Sequence, residues 1–164
     1  MALKELVITR TFNAPRSEVW RMWTEAEGIK LWWGPKEYSA PIIKTDFRVG
    51  GKYLYAMKDP DGTLLWSTGS FKEIKPQEKI VATDSFSNEK GEIIPPTQYG
   101  MPSDMPKELE LIVTFTEENG RTVLNLHHKS FPSEIIEMCR QGWMQSLDKL
   151  ETALTGRESQ QLSL

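Results

Sequence analysis

The sequence is poor in the residue types that mark most catalytic and metal centres. Cysteine occurs once in 164 residues, at Cys139, so no internal disulfide forms, which suits a reducing compartment. Histidine occurs twice, as the adjacent pair His127 and His128. Successive side chains of a strand point to opposite faces, so the two rings cannot close on one ion. Cys-x-x-Cys and His-Glu-x-x-His spacings are absent, so no metal is expected, and no other cofactor is expected either. A Gly-x-Ser-x-Gly elbow and a phosphate-cradling glycine loop are also missing, which removes the common signatures of a serine hydrolase or nucleotide enzyme. No apolar run approaches the ~18 residues needed to span a bilayer. Met1-Ala2-Leu3-Lys4-Glu5 leads straight into a strand-like segment without the apolar core of a signal peptide, so a cytoplasmic location is expected. The 20 basic and 23 acidic side chains are interspersed, with a net charge of −3. Without a basic stripe, nucleic acid is not expected as a partner.

What the chain does have is rings and thioethers: 6 Trp, 6 Phe, 4 Tyr and 7 Met. Such side chains fill cores and line pockets for apolar ligands. Their positions follow a regular plan. Glu5–Phe12 alternates as a strand. Asn13-Ala14-Pro15 signals a helix start, and Val19, Trp20, Met22 and Trp23 then fall at helical spacing. A second short helix is predicted over Glu25–Trp32, ended by Gly34-Pro35. Strands are predicted at Glu37–Phe47, Lys52–Lys58, Leu64–Ile74, Lys79–Phe86, Glu108–Glu117 and Thr122–Lys129. Asp59-Pro60-Asp61-Gly62 and Lys75-Pro76-Gln77-Glu78 supply turns, and Asn119-Gly120 is a strong hairpin signal.

Pro132-Ser133 opens the last element, with Ser133 as the expected N-cap. Ile135, Met138, Cys139, Gly142, Trp143, Ser146, Leu147, Leu150 and Leu154 form one continuous helical stripe. Gly156 is read as the stop, followed by a flexible polar tail over 157–164. Antiparallel strands with helices segregated in sequence indicate a single α+β domain over residues 1–156. The segment Asn88–Pro106 is far longer than a hairpin requires and holds Tyr99, Met101 and four prolines. It reads either as a lid or as an insertion covering a sheet edge.

These patterns resemble a known family. Thr9-Arg10-Thr11-Phe12-Asn13-Ala14-Pro15, Leu31-Trp32-Trp33-Gly34-Pro35, Asp46-Phe47-Arg48-Val49-Gly50-Gly51, Gly69-Ser70-Phe71 and Gly142-Trp143 follow in order. Over residues 5 to 155 the chain resembles small bacterial proteins similar to the C-terminal domain of the heat-shock-protein-90 ATPase activator. These belong to the helix-grip superfamily of START-like and birch-pollen-allergen-like domains (SRPBCC). The resemblance implies a curved antiparallel sheet of about seven strands gripping a long C-terminal helix, with two short helices after the first strand. It also implies a cavity between sheet and helix, and it brings a chaperone ATPase into view as a partner. The long Asn88–Pro106 connection departs from the shorter one expected.

A cavity in such a domain would be lined from several elements. Tyr53, Tyr55 and Met57 share one face of a strand, and Phe71 comes from the next. Trp66 has the opposite parity, so it and Phe71 cannot both face inward without a bulge. Trp33 precedes the second strand, and Tyr99 and Met101 lie on the long connection. Met138, Cys139, Gly142 and Trp143 occupy the first half of the helix stripe, where small residues leave room; leucines fill the second half. Cys139 on this apolar face reads as a buried spacer rather than a nucleophile.

His128 shares the alternation of Leu124 and Leu126 and is the one weak candidate for acid–base work. Arg10 shares a face with Ile8 and Phe12 and needs a carboxylate: Asp46, Asp84 or a ligand's. The leading expectation is binding of a small apolar or amphipathic molecule for transport, sensing or sequestration. A cyclase or dehydratase using His128 and an ATPase-activating interaction protein are the alternatives. A homodimer is neither required nor excluded by any feature of the sequence.

Overall fold

The computed structural model describes residues 3–162, with side chains through residue 156. The elements run β1 (Leu3–Phe12), α1 (Arg16–Thr24), α2 (Ala26–Ile29), β2 (Ser39–Thr45), β3 (Lys52–Lys58), β4 (Leu64–Lys75), β5 (Lys79–Ser87), β6 (Leu109–Glu118), β7 (Arg121–Pro132) and α3 (Ile136–Leu162). The strands form one seven-stranded sheet in the order β1-β7-β6-β5-β4-β3-β2. Every neighbouring pair is antiparallel. From β2 onward the sheet is a meander of consecutive strands, and β1 then adds to the far side of β7. The result is an α+β helix-grip fold, with α3 lying across the concave face of the sheet.

Turn chemistry sets the register. Asn119 and Gly120 take φ of 53° and 79°, the two positive values that a two-residue hairpin of the right twist requires. Asp59 Oδ1 accepts hydrogen bonds from the amides of Asp61 and Thr63, both at 2.9 Å, closing the turn between β3 and β4. At the β2–β3 corner a Cβ on Gly51 would fall 1.9 Å from the Asp46 carbonyl oxygen, so only glycine fits there.

The inward face is mostly apolar. Leu6, Phe12, Val19, Met22, Trp32, Leu124 and Leu126 are fully buried. The Trp32 indole N–H donates to the Met22 carbonyl at 2.8 Å, tying α1 to the turn after α2. Burying each such side chain is worth about 1.5–3 kcal/mol. Leu147 and Leu150 of α3 are likewise fully buried, and Leu154 nearly so.

Three expectations are corrected. First, Pro132 ends β7 instead of opening the helix, because β1 extends far enough to pair Leu3 with Pro132 and Lys4 with Phe131. Ser133 lies in a turn, and the Ile135 carbonyl accepts the amide of Cys139 as the helix begins. Second, α3 runs through Gly156 to Leu162. Gly156 does not adopt the positive φ of a C-terminal stop. Residues 163 and 164 of the expected tail lie outside the described residues, as do Met1 and Ala2. Third, Arg10 meets neither Asp46 nor Asp84. Its guanidinium lies 2.6 Å from both Asp148 Oδ1 and Glu151 Oε2 and so clamps β1 to α3. Helical spacing places these two carboxylates on the face that crosses β1.

The run of α3 through Gly156 has a measurable consequence. Gly156→Ala meets no atom within 4 Å, so it should stabilise the protein by up to about 1 kcal/mol in urea unfolding. A loss of similar size would mean that Gly156 ends the helix in the left-handed conformation.

Candidate functional site

Between α3 and the sheet lies a cavity of about 350 Å³, within the range of small-molecule pockets. Most of the sheet contributes to it, with Met57 from β3, Leu65 and Ser67 from β4 and Leu109 from β6. The first half of α3 contributes Met138, Cys139, Gly142, Trp143 and Ser146, and β5 contributes Asp84, Ser85 and Phe86. The end of β7 brings His128 and Phe131. The loop after α2 supplies Trp33, Pro35 and Tyr38, and the long connection supplies Tyr99, Met101 and Met105.

A bulge positions the β7 residues. Between Lys4 and Leu6 of β1 the register slips by one residue against β7, and Ser130 takes a φ of 74°. The extra residue restores Phe131 to the inward face that His128 already occupies. The two rings meet edge-on at 4.6 Å. Without the bulge, alternation would turn Phe131 outward.

His128 is the polar centre of the cavity. Its side chain is only 5% exposed. The Trp143 indole N–H donates to Nδ1 at 3.1 Å. A neutral imidazole that accepts at Nδ1 carries its proton on Nε2. Nε2 lies 3.1 Å from Asp84 Oδ2, but out of line for an N–H hydrogen bond, so that donor is unsatisfied within the protein. Asp84 Oδ1 accepts from the Tyr53 hydroxyl at 3.0 Å, and that hydroxyl also lies 2.8 Å from the Thr83 carbonyl oxygen. Burial and the Asp84 charge hold the Tyr53 phenol well above its ordinary range, so it stays a neutral donor. His127 faces the other side of the sheet and meets Glu5 at 2.9 Å.

The long connection packs over the cavity, not over a sheet edge, since β5 and β6 are interior strands. A short 3-10 turn at Pro96–Tyr99 carries it back. The Tyr99 hydroxyl accepts from the Trp66 amide at 3.2 Å and donates to the Ser87 carbonyl at 2.8 Å. Lys149 of α3 donates to the carbonyls of the wall residues Pro35 and Tyr38 at 3.2 and 3.0 Å. Burial pushes its ammonium below the usual range.

Of the residues expected at the cavity from sequence, Trp33, Met57, Tyr99, Met101, His128, Met138, Cys139, Gly142 and Trp143 lie on its wall. Tyr53, Tyr55 and Phe71 do not. They face inward but are packed behind the wall, with Tyr55 against Trp33 at 5.0 Å and Phe71 against Phe47 at 4.9 Å. Alternation identifies the inward face of a strand, but other rings had already filled the space above these three. Leu65 and Ser67 line the cavity, so Trp66 points to the other face and the parity conflict with Phe71 does not arise. Cys139 is half-buried and not a sealed spacer. Asp84 is expected from sequence only as a candidate partner of Arg10; its place in a β-forming run, which strands seldom give to aspartate, is the signal that could have marked it as a cavity residue.

Taken together, a seven-stranded sheet gripping a long helix, with a mostly apolar cavity between them, defines a helix-grip domain. The chain belongs to the family described as Activator of Hsp90 ATPase homolog 1-like protein, whose model matches residues 13–155. Solved structures agree in fold. A crystal structure of a protein from Nitrosomonas europaea is 21% identical, with a TM-score of 0.78 over 97% of this chain and 99% of that one. Another from Chromobacterium violaceum is 23% identical, with a TM-score of 0.76 over 92% and 96%. A solution structure from Arthrobacter aurescens is 25% identical, with a TM-score of 0.76 over 94% and 87%. No curated protein matches the chain. Among the described residues no helix is long and apolar enough to cross a membrane, and no cluster of metal-ligating side chains occurs.

Burial pushes the Cys139 thiol from 9.0 up to about 11. Because the thiolate is the nucleophile, alkylation by iodoacetamide should be slow in the folded protein at pH 8 and fast in urea. Between pH 7 and pH 9 the folded-state rate should climb about tenfold per unit without levelling off. Mass spectrometry of the modified fraction reads this directly. A plateau by pH 8 would show an activated thiol.

Proposed function

We propose that this protein binds a small apolar or amphipathic molecule in the cavity between sheet and α3, for transport, sensing or sequestration in the cytoplasm. The observation that carries this reading is a wall of aromatic rings and methionines around a small buried polar centre. Enclosed apolar surface supplies affinity, and a few placed polar groups supply orientation. The small residues of α3 support the same reading. A Cβ on Gly142 would meet only Pro35, at 3.6 Å, so a larger side chain there has open space to grow into.

A second reading is acid–base catalysis by His128. It is favoured by the approach of Asp84 to Nε2, an arrangement in which a carboxylate can support a charged imidazole. His128→Ala would then abolish turnover of a bound compound while leaving its binding in place. Activation of a chaperone ATPase, suggested by the family's description, would instead show as complex formation and a changed ATPase rate.

Tryptophan emission and thermal shift against fatty acids, flat polycyclic phenols, flavonoids and sterols test the leading reading. A compound at about 100 times its dissociation constant stabilises by about 2.7 kcal/mol, which is roughly 5–10 °C in Tm for a chain of this length. The shift should saturate for one chemical class and vanish in Gly142→Leu, which should keep the wild-type fold. Unchanged binding by a folded Gly142→Leu would place the ligand elsewhere.

A further inference from the structure

The electrostatics of the cavity narrow the class of molecule it takes. On the reading that the cavity binds a ligand, we infer that the ligand is a neutral hydroxyaromatic compound whose hydroxyl donates to Asp84, and that carboxylates are rejected.

The argument begins with the charges on the wall. Asp84 is the one carboxylate there, and no lysine or arginine lines the cavity among the described residues. Arg140, next to Cys139 on α3, is turned to the Val7 carbonyl and Glu137, and Lys149 is committed to the carbonyls of Pro35 and Tyr38. A carboxylate offers about four lone-pair positions. Asp84 uses one for the Tyr53 hydroxyl at Oδ1. Oδ2 is near His128 Nε2 but lacks a hydrogen bond from it. Its side chain is 20% exposed, so acceptor capacity remains on a mostly apolar wall. Charge held in such a place needs donors.

The unsatisfied Nε2–H of His128 is the second half of the argument. It is almost fully buried, and its tautomer is set by Trp143. A ligand hydroxyl is both donor and acceptor. Donating to Asp84 Oδ2, 3.1 Å from Nε2, it leaves its own oxygen available to the His128 N–H once a small turn of the ring brings that sealed proton to the cavity surface. A ligand carboxylate has no proton to give and would place a second negative charge beside Asp84, which an apolar surrounding penalises. A hydrocarbon of the same shape leaves both protein groups unmet. The rings of Trp33, Phe86, Phe131 and Trp143 around this pair suit a flat partner.

Isothermal titration with naphthalene, 2-naphthol and 2-naphthoate separates the possibilities, because the three share a ring system and differ at one group. The expected result is 2-naphthol binding about tenfold to hundredfold tighter than naphthalene, the scale of a hydrogen bond to a charged acceptor, with 2-naphthoate weakest. Asp84→Leu should bring 2-naphthol down to the affinity of naphthalene while leaving naphthalene unchanged. Equal binding of all three by the wild-type protein would overturn the anchor and leave the cavity reading standing. Tightest binding of 2-naphthoate would also overturn it. Failure of all three up to their solubility would overturn the anchor, and the cavity reading falls with it if the fatty acids, flavonoids and sterols also fail to bind. The wild-type comparison decides the matter even if Asp84→Leu does not fold.

Discussion

The hydrogen bond from the Trp143 indole to His128 sets the depth at which the long helix lies against the sheet. Trp143 stacks on Trp23 at 6.1 Å and meets Trp33 edge-on at 5.6 Å, so its ring is held on three sides. A buried indole N–H without an acceptor is costly, and the acceptor here is a ring on the sheet. Trp143 therefore divides α3 in two. Beyond it Leu147, Leu150 and Leu154 are buried in the core. Before it the helix carries Met138, Cys139 and Gly142, and the space they leave is the cavity.

The rim is held by a different kind of contact. Lys149 ties the segment after α2 to the helix through backbone carbonyls, and the amide of Lys36 adds a bond to Gln145 at 3.1 Å. The Tyr99 hydroxyl pins the long connection to β4 and β5. The bonds of Lys149 and Tyr99 are part-buried and that of Lys36 is exposed, and rings pack beside them, Tyr99 on Phe86 at 5.3 Å and Trp33 on Trp143 at 5.6 Å. Such segments can open at lower free energy than the sheet itself.

Much of this architecture can be read from local rules. The Asn-Gly hairpin, the proline and glycine turn after β3, the alternating strands and the apolar stripe of α3 depend on neighbours within a few residues, and those elements form where the pattern places them. The errors have a common origin. Pro132, Ser133 and Gly156 carry local signals for a helix start and stop, but pairing of β1 with β7 draws Pro132 into a strand. At Gly156 the helical backbone persists.

The sequence by itself determined the fold class, the order of elements, the inward faces of β1, β3 and β7 and the helix half that carries small residues. Each of these follows from side-chain period and turn chemistry. Tertiary structure alone decided which inward residues reach open space. Tyr53, Tyr55 and Phe71 share the inward faces of their strands with cavity residues but lie under other rings. It also decided the partners of the charges, sending Arg10 to Asp148 and Glu151 and Asp84 to Tyr53 and His128. These pairings join residues from distant parts of the chain, and their geometry is set by the curl of the sheet and the depth of the helix, which no local pattern encodes.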